Sequence, residues 1–287
     1  MRYYKIAGTV MALDGFDFDY LKKRMSEYEI SFADKTDITV TFSSTESVPA
    51  PKGEKITVVN DFREYYSDGK TFSVHDFLSE ELGYSAAIIS DMETKHAYCY
   101  LKDIENLGGA SLDIRCFNML GELFRYFILN HDGFVLHSSC IDYLGTGIAF
   151  SAPSGTGKST HTGLWKKYYG NDVTIINDDS PAVRIIDGKP CVSGIPWSGT
   201  TGINTDKTVP LKAIVMLSQE KENTINSIDP VQSVFLVLEE ISRPVFEVFF
   251  EKLMQHFDRV MSQISVLHLG CTISREAVDT VKNRLAL

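Results

Sequence analysis

The chain has 287 residues, of which 44% are hydrophobic and 23% charged, a composition typical of a folded globular protein and not of a disordered or fibrous one. Its formal net charge of −10 argues against the basic surface that nucleic-acid binding requires, so no nucleic-acid partner is expected. No apolar run reaches the roughly 18 residues of a membrane span, so no membrane partner is expected either. The five cysteines are dispersed and include no Cys-x-x-Cys pair, which predicts reduced thiols and a cytoplasmic protein.

Residues 1–110 are predicted to form an N-terminal β-rich lobe. Residues 2–11 are expected to form a strand and residues 17–29 a short helix. Four further β-type runs follow, at 38–42, 55–59, 84–89 and 96–101. Proline, glycine and Asp-Gly turns separate them, which favours an antiparallel sheet. The lobe carries most of the excess negative charge and no catalytic motif. Two interpretations stay open: the acidic residues form an ordinary solvated surface, or the lobe recognises a basic segment of the substrate.

Residues 111–287 are predicted to form an α/β domain. Gly108 and Gly109 interrupt the chain, and apolar residues then recur at helical spacing over 112–130. Strands and helices follow around a glycine-rich turn, which is the pattern of an α/β domain. The predicted strands lie at 134–143, 147–151, 173–177, 182–186, 211–217 and 265–269, and the predicted helices at 159–169, at 245–263 and from 274 onward.

The segment Ala152-Pro-Ser-Gly-Thr-Gly-Lys-Ser159 carries the strongest chemical signal. It matches the pattern G-x-x-x-x-G-K-[ST] apart from alanine at the first position, and it lies between an apolar strand and a helix. Glycines let such a loop approach a phosphate, and the following helix presents unpaired N–H groups and the positive end of its dipole. We therefore expect the phosphates of a nucleotide to be bound by Ser154, Gly155, Thr156, Gly157, Lys158, Ser159 and Thr160, and the loop alone does not distinguish ATP from GTP.

Asp178 and Asp179 follow the predicted strand 173–177, and one helix and one returning strand fit between Lys158 and this pair. The carboxylates are therefore expected beside the loop. Adjacent residues of a strand point in opposite directions, which suggests two different roles. One carboxylate would bind Mg²⁺ and the other would accept the proton of an attacking hydroxyl. The alternative is a solvated Asp-Asp-Ser-Pro turn.

The run from His137 to Ser159 resembles the catalytic core of bacterial HPr kinase/phosphorylase. That core also carries a histidine, an aspartate five residues later (here Asp142), two glycines, the phosphate loop and a following Asp-Asp pair. The resemblance implies a phosphoenolpyruvate-carboxykinase-like P-loop catalytic domain at 111–287. It also implies an ATP- and Mg²⁺-dependent kinase, and it leaves a homo-oligomer open.

Position by position, the resemblance implies that Asp178 is the general base and that Asp179 helps Ser159 to organise the metal. Lys158 is expected on the outer phosphates. His137 would lie beside the transferred phosphate or the metal, with a purely structural histidine as the alternative. Asp142 is expected in a structural turn. His161 is expected on the surface of the helix after the loop, with a contact to the nucleotide as the alternative.

Downstream, the chain departs from that family, because residues 193–204 form a Gly/Ser/Thr-rich segment in place of an acidic-Ile-Arg-Gly loop. With this segment the chain resembles a separate branch of HPr-kinase-like proteins, some of which phosphorylate a serine of a precursor peptide. The resemblance implies that the acceptor is a serine of a protein or peptide. The segment would contact substrate, or it would be a flexible connection with Trp197 in the core. Two other functions stay open: a small-molecule kinase or carboxykinase-like enzyme, and a nucleotide-sensing regulatory or scaffold protein.

Overall fold

The computed structural model describes residues 1–104 and 110–287, which form a mixed α/β protein with two large sheets. The predicted break at Gly108 and Gly109 lies outside the described residues. Two compact units divide the chain: unit 1 comprises Met1–His131 and Pro244–Glu251, and unit 2 comprises Asp132–Arg243 and Lys252–Leu287. None of the helices in the described ranges has the length and hydropathy needed to cross a membrane.

Unit 1 contains a nine-stranded sheet with the strand order β3-β1-β2-β4-β9-β8-β7-β6-β5. The strands are β1 (Arg2–Ile6), β2 (Thr9–Asp14), β3 (Glu29–Ile30), β4 (Ile38–Thr45), β5 (Glu54–Val59), β6 (Arg63–Ser67), β7 (Thr71–Ser79), β8 (Gly83–Asp91) and β9 (His96–Lys102). The helices that lie wholly within this unit are α1 (Asp19–Met25) and α2 (Leu112–Leu129).

The sheet of unit 1 differs from the sequence prediction in two respects. The predicted strand 2–11 is a hairpin of β1 and β2, because Ala7 and Gly8 take positive φ angles of 50° and 82° and reverse the chain. The sheet is also mixed rather than antiparallel, since β4 runs parallel to both β2 and β9. Helix α1 connects β2 to β4 as a crossover, and such a connection returns the chain in the same direction.

Aromatic packing explains why unit 1 extends beyond the predicted boundary at 110/111. The Tyr126 ring of α2 lies 5.0 Å from the ring of Phe72 in the sheet. Phe246, from the second segment of unit 1, lies 5.4 Å from Tyr126 and 5.2 Å from Phe72. These buried rings join residues 112–131 and 244–251 to the N-terminal sheet. Unit 2 therefore begins at Asp132, after the helix that was predicted to open the second domain.

Unit 2 contains a second nine-stranded sheet, with the path β10-β14-β15-β16-β12-β11-β13 and with β18 pairing both β16 and β17. The strands are β10 (Gly133–Val135), β11 (Ser138–Tyr143), β12 (Thr146–Ser151), β13 (Val173–Asn177), β14 (Ala182–Ile186), β15 (Lys189–Ser193), β16 (Thr208–Gln219), β17 (Thr224–Ser227) and β18 (Ser265–Cys271). The helices are α3 (Lys158–Tyr169), α4 (Pro230–Glu239), α5 (Glu247–Met261, which starts in the second segment of unit 1) and α6 (Arg275–Leu285).

The core of unit 2 fixes α3 against the sheet. Trp165 of α3 is fully buried, and its ring lies 5.5 Å from Tyr143 of β11 and 6.2 Å from Phe150 of β12. Apolar residues of α6, including Val278 and Val281, belong to the same buried cluster. Because the burial of such a large ring is a major contribution to stability, α3 has a defined position relative to the two strands that it packs on.

One buried histidine of unit 1 makes stability depend on pH. His75 has no exposed surface, lies between the rings of Tyr66 and Tyr84, and has its Nε2 atom 3.0 Å from Ser73 Oγ. Burial lowers the pKa of His75 to about 4, so the imidazole is neutral in the folded protein.

We predict that acidification destabilises the protein through this residue. An unfolded histidine titrates near 6.5, so below that pH the unfolded state binds a proton that the folded state excludes until about pH 4. Lowering the pH from 7 to 5 should therefore cost about 2 kcal/mol of the free energy of unfolding through His75 alone. Urea unfolding at both pH values should show a pH effect smaller by that amount in His75→Phe, which keeps a ring between Tyr66 and Tyr84. An equal pH effect in both proteins would contradict the prediction.

Candidate active site

The glycine-rich loop connects β12 to α3, as the sequence predicts. Gly155 and Gly157 take φ angles of 80° and 115°, a region that side chains with a Cβ rarely adopt. A Cβ at either position would meet no atom within 4 Å, so the space in front of the loop is open. Lys158 is the first residue of α3, and the N–H groups of a first helical turn have no partner within the helix. The loop therefore has the geometry of an anion-binding site.

Lys158 is the charged group of this loop. It is buried, and its Nζ atom donates a hydrogen bond of 2.7 Å to the carbonyl oxygen of Ala152 across the loop. Burial lowers the pKa of Lys158, and the nearby carboxylates of Glu240, Asp179 and Asp178 act in the opposite direction. The lysine therefore interacts electrostatically with three acidic side chains.

The strand order brings the aspartate pair to the loop. Strand β11 lies between β12 and β13 and is antiparallel to both. The C-terminal ends of β12 and β13 consequently meet at one edge of the sheet, together with the N-terminal end of β11. The loop follows β12 at this edge, Asp178 and Asp179 follow β13, and His137 precedes β11.

Asp178 is held by residues that the sequence analysis did not identify. It is 5% exposed, and its Oδ1 atom accepts a hydrogen bond of 2.9 Å from Ser139 Oγ. Ser139 Oγ lies 2.8 Å from Thr162 Oγ1 on α3. The Asp-Asp-Ser turn is present, because Asn177 Oδ1 accepts from the N–H groups of Asp179 and Ser180. The turn is not merely solvated, however, since it directs the first carboxylate into the protein.

Asp179 and His137 form a second cluster with Glu240. His137 Nδ1 lies 2.8 Å from Glu240 Oε2, and His137 Nε2 lies 3.9 Å from Asp179 Oδ1. When Nδ1 carries the proton it donates to Glu240, and the lone pair of Nε2 is then directed to the side of Asp179. Carboxylates orient metal-binding histidines in this way. Glu240 follows α4, a helix that the sequence analysis did not predict, and only the tertiary fold brings it to His137.

The segment 193–204 is attached to this edge rather than free. Asn177 Nδ2 donates to the carbonyl oxygens of Ile195 and Trp197, at 2.9 and 3.3 Å. Trp197 itself is partly exposed and so is not a core residue. Gly199 packs on Asp179: a Cβ at this glycine would lie 3.0 Å from Asp179 Cβ. The segment therefore forms part of the wall around Asp179.

Magnesium was predicted at Ser159 and Asp179, and the donor chemistry of the described residues fits it. A serine hydroxyl and a carboxylate are hard oxygen donors, and Mg²⁺ is typically bound through one or two carboxylates plus substrate phosphates. Ser159 is exposed at the start of α3. Within residues 1–104 and 110–287, no group of three or more His, Cys, Asp or Glu residues forms a metal site by itself.

A cavity of about 530 Å³ lies beside the loop in unit 2. The loop and α3 form one side of it and the C-terminal ends of β16 and β18 the other. Its lining consists of Gly155, Thr156, Gly157, Thr160, His161, Leu164, Leu217, Gln219, Glu220, Cys271, Thr272 and Ile273. Gln219 Nε2 donates a 3.0 Å hydrogen bond to the Thr156 carbonyl oxygen and so connects the two sides.

The predictions for His161 and Asp142 have different outcomes. His161, predicted on the surface, is only 3% exposed and lines the cavity, because it packs between the sheet and Trp165 rather than facing solvent. Asp142 is the predicted turn residue: its Oδ1 accepts a hydrogen bond of 2.7 Å from the Gly145 N–H, and its Oδ2 pairs with Lys207. Ser154 and Thr160 are exposed on the loop and the first turn of α3.

The fold and this site define a mixed α/β protein in which a glycine-rich loop that leads into a helix and an aspartate pair share one sheet edge. The chain belongs to the family described as SynChlorMet cassette protein ScmC, whose sequence model matches residues 101–278, more than half of its length. No curated protein sequence matches the chain. Among solved structures, the chain is similar to the Hpr(Ser) kinase/phosphatase from Coxiella burnetii, with 9% identity and a TM-score of 0.30 over 52% of this chain and 95% of that one.

We predict that a methyl group at Gly199 disturbs Asp179. Gly199→Ala places a Cβ against the aspartate, whereas Gly188→Ala is a matched control with a similarly positive φ and no atom within 4 Å. Both variants should lose about 1 kcal/mol of stability from backbone strain. Only Gly199→Ala should also shift the NMR signals of the His137 imidazole, which faces Asp179. Equal shifts in both variants would show that the contact with Asp179 has no effect.

Proposed function

We propose that the protein is an ATP- and Mg²⁺-dependent kinase that transfers the γ-phosphate to a hydroxyl, a serine of a protein or peptide. The observation that carries this proposal is the convergence at one sheet edge of Lys158, at the start of a helix, with Asp178, held by Ser139. We further propose that unit 2 corresponds to a phosphoenolpyruvate-carboxykinase-like P-loop domain, as the motif resemblance implies.

The loop supplies the binding of the phosphates. Its backbone N–H groups and the first turn of α3 would donate to phosphate oxygens, and the glycines allow the chain to come close. Lys158 would exchange its hydrogen bond with the Ala152 carbonyl for the outer phosphates, where its charge opposes the charge of the triphosphate. This is the role that an open loop with a buried lysine supports best.

Ser159 and Asp179 would hold Mg²⁺, which when bound neutralises phosphate charge and fixes the geometry of the β- and γ-phosphates. Glu240 would hold His137 so that its Nε2 atom faces Asp179. His137 would thus lie next to the proposed Mg²⁺ ligand Asp179. There it can orient the Asp179 carboxylate or contact a phosphate oxygen.

Asp178 is the proposed general base. The acceptor oxygen forms a bond to the γ-phosphorus while the bond from that phosphorus to the β,γ-bridging oxygen breaks and ADP leaves. The hydroxyl proton moves to the Asp178 carboxylate, whose second oxygen stays fixed by Ser139. Phosphoryl transfer depends mainly on position and charge, so a carboxylate that is held in place is sufficient.

The acceptor side of the proposal concerns two other regions. The partly exposed Trp197 and the segment around it would contact the acceptor next to Asp179. The acidic N-terminal lobe would recognise a basic part of the same acceptor. A cytoplasmic location is a prediction from the sequence, and the family resemblance leaves a homo-oligomer open.

We predict that Asp178→Asn lowers phosphotransfer by at least 10²-fold while ATP still binds, because the proton acceptor is lost but the phosphate loop remains. Lys158→Ala should lower the binding of ATP itself. The assay follows labelled phosphate from ATP to a serine-containing peptide, with the serine-to-alanine peptide as the negative control. Asp187→Asn, the same change in the exposed β14–β15 turn, serves as the protein control. A wild-type rate in Asp178→Asn would exclude the assigned base.

We also predict that Ser139 acts as a positioning residue for Asp178. Ser139→Ala should lower kcat about tenfold and leave the KM for ATP unchanged, because one buried hydrogen bond is lost without any contact to the nucleotide. Ser138→Ala is a matched control, since Ser138 Oγ is buried next to it without a hydrogen-bond partner among the described residues. If both variants lower kcat equally, the effect comes from the strand and not from the Ser139–Asp178 bond.

A further inference from the structure

One wall of the cavity beside the loop contains a buried histidine that the proposed phosphate transfer does not use. His161 lies on the first turn of α3, is 3% exposed, and packs its ring 4.6 Å from the ring of Phe150. It lines the cavity together with Gly157 of the loop and Thr160 of the same helical turn. A polar ring at this position therefore faces the space into which the loop opens.

The position of the proton on His161 follows from its neighbour Trp165. The Trp165 indole Nε1–H donates a hydrogen bond of 3.2 Å to His161 Nε2. An indole N–H can only donate, so Nε2 must carry a lone pair and the proton of the neutral ring must be on Nδ1. Burial lowers the pKa of His161 to about 4, so the ring is neutral at ordinary pH. Helix α3 thus holds a single tautomer.

Among the residues that the structure describes, the bond from Trp165 is the only hydrogen bond of the His161 side chain. The Nδ1–H group therefore has no acceptor there. The residue is 3% exposed, yet Nδ1 is not among the fully buried polar atoms that lack a partner, so this atom keeps accessible surface. Because the ring lines the cavity, a molecule in the cavity can supply the missing acceptor.

The rest of the cavity fits a flat heterocycle attached to a polyphosphate. The cavity begins at Gly155 and Thr156 of the loop and continues between apolar side chains. The apolar part of its lining is Leu164, Leu217, Cys271 and Ile273, and the polar part beyond the loop is Thr160, His161, Gln219, Glu220 and Thr272. Apolar walls with a few directed polar groups are typical of sites for small organic ligands, and about 530 Å³ lies within the usual range of such sites.

We propose that this cavity receives the nucleoside of the triphosphate and that His161 Nδ1–H donates a hydrogen bond to a ring nitrogen of its purine base. His161 then distinguishes a nucleotide from a bare polyphosphate, and Trp165 is the positioning residue that fixes its tautomer. The inference rests on the proposed function for the phosphate part of the ligand. ATP and GTP both carry purine ring-nitrogen acceptors, and the experiment separates them.

The test measures the binding of ATP, GTP and inorganic tripolyphosphate by calorimetry. His161→Gln keeps an acceptor for the Trp165 N–H but lacks a donor at the place of Nδ1, whereas His161→Asn keeps an amide N–H near that place. His161→Gln should weaken the binding of one or both purine nucleotides about tenfold and leave tripolyphosphate unchanged. His161→Asn should bind nucleotide more tightly than His161→Gln. His268→Gln, which makes the same change outside the cavity lining, should behave like the wild type.

Defined results would overturn the assignment of the cavity and of His161. Unchanged affinity of His161→Gln for both nucleotides, or an equal loss for tripolyphosphate, would overturn the assignment, because the histidine would then only support the helix. Absence of ATP and GTP binding to the wild-type protein would overturn it as well. Thermal unfolding of each variant shows whether a loss of binding reflects a loss of fold.

A second readout reports on the tautomer and does not depend on any substitution. The ¹⁵N NMR shifts of His161 in the wild type should show a protonated Nδ1 and an unprotonated Nε2 between pH 6 and pH 8. Nucleotide should move the Nδ1 signal and tripolyphosphate should not. These experiments distinguish a failure of this inference from a failure of the proposed kinase activity. Tripolyphosphate binding to Lys158→Ala tests the phosphate loop, and the transfer of labelled phosphate tests the kinase reaction. The comparison of the His161 variants tests the cavity alone.

Discussion

The hydrogen bond from Ser139 to Asp178 is the contact on which the candidate site depends, because it joins three elements that the sequence keeps apart. Ser139 belongs to β11, Asp178 follows β13, and Thr162, which also contacts Ser139, belongs to α3. The bond can form only because β11 runs antiparallel between β12 and β13. The same arrangement places the phosphate loop and the aspartate pair at one edge, so strand order, loop and carboxylates are parts of a single constraint.

The charges at this edge explain why the proposed ligand includes both a phosphate and a divalent cation. Lys158 lies near the carboxylates of Asp178, Asp179 and Glu240, and burial disfavours its charged form. Three carboxylates beside a triphosphate would repel it, and one lysine does not offset that charge. A cation between Asp179 and the phosphates reduces the repulsion. The cluster is therefore consistent with a site in which nucleotide and Mg²⁺ bind together.

Local patterns predicted the loop, its flanking strand and helix, and the turn of Asp178, because each is encoded by neighbouring residues. Long-range features escaped prediction. Glu240 lies 103 positions from His137, and nothing near it in sequence indicates the contact. The parallel pairing of β4 depends on a crossover, and the extent of unit 1 depends on aromatic packing around Tyr126. The burial of His161 does have a local signal in the sequence, because Trp165, one helical turn later, is its hydrogen-bond partner.

His161 and Thr162 are consecutive residues of α3, about 100° apart around the helix axis, and they have different neighbours. His161 lines the cavity, whereas Thr162 contacts Ser139 and through it Asp178. The first turn of α3 therefore connects the cavity proposed for the purine ring to Asp178, the group proposed to take the proton of the acceptor hydroxyl. A small rotation of α3 about its buried Trp165 would move both side chains at once. The effects of substitutions at His161 and Thr162 on the free energy of nucleotide binding should then be non-additive. Binding of the nucleotide and the position of the Asp178 carboxylate would in that case be thermodynamically coupled.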